Sequence, residues 1–164
     1  MKKKHISVSL ILLILLMLLI FWFSAQPAEE SELTSSGFCT MAAKIIYRRY
    51  ASYTPEMQKI ITEGLAHTVR KMAHFTEYAC MGFLWYLFLR KKKMNILISI
   101  VATGVYAASD EWHQRFVSGR SGQISDVFLD TCGGCFGVLA GFVLLCILYC
   151  CTHKNVMSFG VWKK

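Results

Sequence analysis

The chain has 164 residues, of which 55% are hydrophobic and 17% charged, and it carries a formal net charge of +8. A soluble domain is usually about 25% charged, and here the apolar residues come in long runs. These features argue against a soluble globular domain, a disordered chain and a small disulfide scaffold. The lysines flank the apolar runs, as basic residues do where they orient membrane helices, so we do not expect nucleic-acid binding. The length suits a single domain over residues 1–164.

Four apolar runs predict an all-α, polytopic membrane protein with four transmembrane helices. The first run, residues 6–23, has no charged residue and would form a helix roughly 27 Å long, enough to cross the hydrocarbon core. It is longer than the apolar stretch of a signal peptide and lacks a good cleavage site, so we expect it to be retained. The other predicted spans are residues 72–89, 94–109 and 124–151.

Basic residues set the predicted orientation. Lys2, Lys3 and Lys4 precede the first run, and the sequence RKKK at residues 90–93 fills the tight turn between the second and third runs. Cytoplasmic loops are rich in Lys and Arg. The sequence therefore predicts a multi-pass protein of the cell membrane with both termini in the cytoplasm.

One or two amphipathic helices are expected in the first extracytoplasmic segment. Phe38, Met41 and Ile45 recur on one helix face, with basic residues on the other. This helix either lies on the outer leaflet or packs against the bundle. A second helix is expected to begin with Thr54 as its N-cap and Pro55 at its first position.

Ionisable residues gather at the ends of three predicted spans, all at the outer surface. Charged residues inside a membrane are costly, usually face the protein interior and mark functional sites. The candidate catalytic residues are His74, Glu77, Asp110, Glu111 and Asp126, and the candidate ligand-binding residues are Lys71, Tyr78, Gln114 and Arg120.

Several roles are open for these residues. Carboxylates and His74 can act as general acid and base, and Arg120, Arg115 and Lys71 can hold an anionic headgroup. Carboxylates and imidazoles also bind metals, but the His74–Glu77 spacing reverses that of di-iron bundles, so we expect no metal site. Without a nucleophile motif or a Gly-rich phosphate loop, no cofactor is expected. The structural alternative is that the charges form ion pairs that fix the loops.

The fourth run has a face of small residues that continues its acidic residues. Asp126 and Asp130 are followed on the same helix face by Gly133, Gly137 and Gly141. Glycines at this spacing allow membrane helices to pack closely. We therefore expect the acidic residues to face neighbouring helices rather than lipid.

Three motifs resemble the VanZ-like family of bacterial membrane proteins. Residues 70–78 read RKMAHFTEY, residues 109–120 read SDEWHQRFVSGR, and residues 23–27 read FSAQP. The resemblance covers nearly the whole chain in the right order. Asp130 departs from it, because the family commonly has asparagine there, and Ser118 stands where proline is common. The resemblance implies signature positions at Lys71, His74, Glu77, Tyr78, Asp110, Glu111, Gln114, Gly119, Arg120 and Asp126.

The resemblance also implies a role in the cell envelope. The founding member of the family is linked to low-level teicoplanin resistance, so we expect a part in glycopeptide resistance or envelope-stress response. The expected partners are membrane lipids and a lipid-linked cell-wall precursor or lipoglycopeptide. A membrane enzyme acting on a lipid-linked or cell-wall substrate is one alternative, and a structural or assembly protein is another. An enzyme requires a water-reachable cleft, whereas a structural role requires charges that are paired and closed from solvent.

Overall fold

The computed structural model describes residues 8–160, with side chains described for residues 8–152, and this part of the chain is all-helical. The all-α prediction is therefore confirmed. Lys2, Lys3 and Lys4, on which the predicted orientation partly rests, lie outside the described residues. The helices are α1 (Val8–Ser24), α2 (Ala28–Ile46), α3 (Pro55–Leu89), α4 (Asn95–Gln114) and α5 (Ile124–Gly160), with a 3₁₀ turn at Tyr50–Ser52.

The start of α3 is the predicted one, but the helix is longer than the sequence suggested. The Oγ1 of Thr54 accepts a hydrogen bond from the backbone N–H of Met57 at 3.4 Å, and Pro55 occupies the first helical position. The expected second amphipathic helix then continues into the second apolar run as one helix of 35 residues. Gly64 is the only strong helix breaker before that run, and a single glycine costs only about 1 kcal/mol in a helix.

One described helix is long and apolar enough to cross a membrane by itself. This segment of α5, Ile124–Thr152, has a mean hydropathy of 2.4, and only 22% of its most apolar window is buried inside the bundle. Helices α1 and α2 are long and apolar enough to cross a membrane only when they are taken together, as a pair bent by 113°. By length and composition the described residues thus hold one candidate span, or two if the bent pair counts as one. The predicted number of four is not shown.

Helix α3 is the centre of the bundle and packs against each of the other four helices. Its contact with α5 uses the predicted glycine face. Gly133 lies against the backbone of Phe75, and a Cβ added to Gly137 would overlap the carbonyl oxygen of Ala79. The two backbones can approach this closely only because these positions have no side chain.

Helix α2 presents its two faces to different surroundings. It packs against α3 and buries Cys39 and Ala43. Phe38, Met41 and Ile45 on its apolar face remain exposed. The helix thus has a feature of each predicted arrangement. Its small residues contact the bundle, and its large apolar residues point away from the bundle.

Candidate functional site

A buried carboxylate joins three helices near the end of α1. The Oδ2 of Asp110 on α4 accepts hydrogen bonds from Ser24 of α1 at 2.9 Å, Tyr78 of α3 at 3.1 Å and Gln114 at 3.1 Å. Asp110 is 4% exposed. Hydrogen bonds to a charged group in such surroundings are among the strong ones, so this network fixes α1, α3 and α4 relative to each other.

A cavity of about 120 Å³ lies beside this network, between α3, α4, the loop after α4 and α5. Its lining contains as many acidic as basic side chains, apart from two histidines. The ionisable residues of the lining are His67, Arg70, Lys71, His74, Glu111, Arg120, Asp126 and Asp130.

Lys71 and Asp126 form an ion pair across the cavity wall. The Nζ of Lys71 on α3 donates to the Oδ1 of Asp126 on α5 at 2.8 Å, and both side chains are about two-thirds buried. Asp126 also accepts from the hydroxyl of Ser125 at 3.3 Å. This geometry matches the structural alternative, in which acids and bases pair with each other.

Glu111 holds the loop that leads into α5. Its Oε1 accepts a hydrogen bond from the backbone N–H of Gln123 at 2.7 Å. The carbonyl of Gln123 in turn accepts from the N–H of Asp126 at 3.0 Å. Glu111 thereby positions the first turn of α5, where Asp126 lies.

Arg120 fastens the same loop to the corner between α1 and α2. Its Nε donates to the carbonyl oxygen of Gln26 and its Nη2 to that of Phe23, both at 3.0 Å. Burial lowers the pKa of Arg120 from its ordinary value, and the positive charge of the nearby Arg70 lowers this pKa further. An arginine side chain nevertheless stays cationic at neutral pH. Both of these hydrogen bonds go to backbone carbonyls rather than to the carboxylates of the cavity.

A second contact closes this corner. The backbone N–H of Ala28 donates to the carbonyl of Ser118 at 3.2 Å. Gly119 follows with φ at +72°, a conformation that favours glycine, and a Cβ there would lie 3.0 Å from that of Ala28. The loop after α4, which lines the cavity, is therefore held against the α1–α2 corner.

The cavity brings together most, but not all, of the residues predicted for the site. Glu77 is half-buried, is not among the lining residues and interacts electrostatically with Asp110 and Arg120. Tyr78 and Asp110 lie in the buried network behind the wall. The predicted residues that line the cavity are Lys71, His74, Glu111, Gln114, Arg120 and Asp126.

Asp130 is one of three ionisable cavity residues that the predicted site omitted, with His67 and Arg70. It is 1% exposed, and neither of its carboxylate oxygens accepts a hydrogen bond from the described residues. The Nδ1 of His74 lies 3.8 Å from the Oδ2 of Asp130. A buried carboxylate without donors is costly and rare. The available signal was its position four residues after Asp126, on the same helix face.

The side chains of the described residues do not group into a metal centre. Among them, no three His, Cys, Asp or Glu side chains are arranged to hold a metal ion. The cavity holds the Lys71–Asp126 ion pair, the Glu111 contact to the loop and the His74–Asp130 pair.

Fold and site together define an all-helical protein with candidate membrane spans and a small, charged cavity inside the bundle. A family model described as VanZ/LLP1 matches residues 9–149, so the chain belongs to the VanZ/LLP1 family of membrane proteins. The resemblance that the sequence motifs indicated is thus confirmed. No curated protein and no solved structure matches the chain.

Proposed function

We propose that this protein is a four-span protein of the bacterial cell envelope whose outer-face cavity binds a small polar group that donates hydrogen bonds to Asp130. The group belongs to an envelope molecule, such as a lipid-linked cell-wall precursor or a lipoglycopeptide. By binding it, the protein contributes to the glycopeptide or envelope-stress response. The observation that carries the proposal is the buried carboxylate of Asp130, which lies at the cavity wall without a donor.

The side-chain pattern of α4 supports four spans. This helix buries small and polar residues, Ser99, Thr103 and Ala107, and exposes large apolar ones such as Val101 and Val105. That pattern suits a helix surrounded by lipid, since water would favour the opposite arrangement. The polar site residues on α3 and α4 lower the mean hydropathy of these two helices. For this reason, neither helix is apolar enough to be recognised as a membrane span from its composition alone.

The orientation follows from the two ends of α3. The RKKK turn lies after its C-terminal end, while the cavity lies near its middle, around Lys71 and His74. Lys71 and the turn at Lys91 are about 30 Å apart along the helix, close to the thickness of the hydrocarbon core. With the basic turn in the cytoplasm, the cavity opens at the outer surface. The exposed apolar face of α2 then contacts the outer leaflet.

The size of the cavity limits its ligand. About 120 Å³ is the volume of roughly four water molecules at ~30 Å³ each, so a whole lipid or glycopeptide does not fit. A terminal group of such a molecule does. A primary ammonium brings three N–H donors, and it would satisfy both of the free carboxylate oxygens.

The enzyme alternative draws on the His74–Asp130 pair. A carboxylate beside an imidazole orients the ring and stabilises its protonated form, as a general base requires. The structural alternative accounts for Asp110, Glu111 and the Lys71–Asp126 pair, because these groups already have partners. It does not account for Asp130, which would be a cost without a benefit in a purely structural bundle.

The proposal is tested by teicoplanin susceptibility in a host that lacks a related protein. Asp130→Ala and His74→Ala should each remove the tolerance that the wild-type protein confers, with unchanged amounts of protein in the membrane. The control is Glu63→Gln, an exposed residue on the same helix as His74, which should keep wild-type tolerance. A fully active Asp130→Ala variant would overturn the proposed site, and a wild type without effect would overturn the glycopeptide role.

Binding itself is measured on the purified full chain. Methylammonium chloride should raise the apparent melting temperature of the wild type relative to sodium chloride at equal ionic strength, because methylammonium brings N–H donors for the carboxylate of Asp130 and sodium brings none. The Asp130→Asn variant should show no such difference. An equal rise in both proteins would contradict recognition of an amine by Asp130.

A further inference from the structure

A second cavity lies at the other end of the bundle, in a groove between α1 and α3. It has a volume of about 560 Å³. Its walls are apolar, formed by Leu12 of α1 and by Leu84, Leu87 and Phe88 of α3. The groove is distinct from the charged outer cavity, which shares none of these residues.

Two cationic residues close one end of this groove. Arg90 and Lys91 belong to its lining, directly after the apolar wall of α3, and both are exposed. Lys92 and Lys93 follow in the same turn without contributing to the lining. Within the part of the chain that the structure describes, the groove therefore combines an apolar wall with a cationic rim formed by Arg90 and Lys91.

These two features fit an amphiphile with an anionic head. An acyl chain lying along Leu12 and Leu84 would cover the apolar surface of the groove. A phosphate at the rim would contact the planar guanidinium of Arg90 and the ammonium of Lys91. Clusters of Lys and Arg next to a membrane helix are typical binding sites for anionic lipid heads.

A second copy of the chain fits the groove less well. Two copies inserted with the same orientation bring their RKKK turns to the same depth in the membrane, where the like charges repel. An anionic lipid instead neutralises these charges. The chemistry of the rim thus favours a lipid over a symmetric dimer contact.

We propose that this groove is a binding site for an anionic phospholipid, with an acyl chain against Leu12, Leu84, Leu87 and Phe88 and the phosphate on Arg90 and Lys91. The site anchors the inner end of α1 to α3 through the lipid. It stands independently of the function proposed for the outer cavity.

The test uses native mass spectrometry of the purified, delipidated full chain. Dioleoylphosphatidylglycerol and dioleoylphosphatidylcholine, which share the same acyl chains, are titrated separately. We expect the anionic lipid to bind at least tenfold more tightly, with one molecule held per chain. Equal binding of the two lipids would overturn the anionic site, and a dimer mass formed without lipid would assign the groove to a second copy.

A pair of double variants separates a site from general surface charge. R90Q/K91Q should lower the affinity for phosphatidylglycerol at least fivefold, whereas K92Q/K93Q, which removes the same charge from the same turn, should leave it within twofold. Equal losses in both variants would overturn the proposal. All four side chains are exposed, so neither variant removes a buried contact.

The apolar wall is tested by Leu12→Trp, which narrows the groove from the exposed side of α1. This variant should lower phosphatidylglycerol binding at least fivefold while the apparent melting temperature stays within a few degrees of the wild type. Unchanged lipid binding would show that no acyl chain occupies the groove. The Asp130→Asn variant should bind the lipid like the wild type, so failure of one proposal is distinguishable from failure of the other.

Discussion

The hydroxyl of Tyr78 on α3 donates a hydrogen bond to the carboxylate of Asp110 on α4 at 3.1 Å, and the same oxygen also accepts from Ser24 of α1. Three helices that are distant in sequence thus share one acceptor. The cavity lies directly in front of this contact, with Gln114 contributing to both the network and the lining. The network is therefore the support on which the position of the cavity depends.

Asp110→Asn should destabilise the bundle, while the charged residues that line the cavity remain in place. The amide keeps one acceptor oxygen, but the three donors lose their charged partner. Hydrogen bonds to charged groups contribute about 1.5–3 kcal/mol each to stability. We expect a lower apparent melting temperature in detergent, followed by tryptophan fluorescence. Ser109→Ala, at an exposed neighbouring position, should melt like the wild type. Wild-type stability of Asp110→Asn would contradict a structural role of the network.

Two glycine-to-alanine substitutions should have opposite effects. At Gly137 the added methyl overlaps the carbonyl oxygen of Ala79, so α3 and α5 must separate, and overpacking of this kind costs about 1–3 kcal/mol. At Gly64 of α3 nothing lies within 4 Å of the added Cβ, and the better helix propensity of alanine gains up to about 1 kcal/mol. The measurement is thermal unfolding of both variants beside the wild type. Equal shifts would refute the close contact between α3 and α5.

Arg120→Gln should release the loop after α4 from the α1–α2 corner. The variant loses the two hydrogen bonds from the guanidinium to the carbonyls of Phe23 and Gln26. Amide hydrogen exchange in residues 115–123 should become at least tenfold faster, measured by mass spectrometry. Arg115→Gln in the same loop, where the side chain is exposed, should change exchange much less. Slow exchange in Arg120→Gln would show that other contacts hold the loop.

Reporter fusions should establish the proposed topology. A reporter inserted in the turn between α2 and α3, at residues 47–54, should be active only as an extracytoplasmic reporter. Reporters inserted at residues 91–94 or fused after Lys164 should behave as cytoplasmic. These results follow from the cationic turn at residues 90–93, since basic loops are retained inside. An extracytoplasmic location of residues 91–94 would exclude both the four-span arrangement and an outer-face cavity.

Local sequence patterns predicted the helices and the family of this protein. Apolar runs and their flanking lysines gave the all-α class, Thr54 and Pro55 gave the start of α3, and the motifs at residues 70–78 and 109–120 gave the family. These features depend on neighbouring residues, because capping, helix propensity and hydrophobic patterning act over a few positions. The length of α3 was harder to predict, since continuing a helix through Gly64 depends on packing against α2 and α5 rather than on propensity.

The candidate site, like the fold, could be predicted from the sequence only in part. The sequence alone predicted that ionisable residues from three helices lie close together, and it named most of the ionisable residues that line the cavity. Only the tertiary structure decided their partners: Lys71 with Asp126, Arg120 with backbone carbonyls, and Asp130 with no hydrogen bond to the described residues. The physical reason is that a charge in a bundle is stabilised by whichever donors the packed helices bring within about 3 Å. That distance depends on the close contact between α3 and α5 at Gly133 and Gly137. The sequence predicted this glycine face, but it did not specify which helix the face contacts.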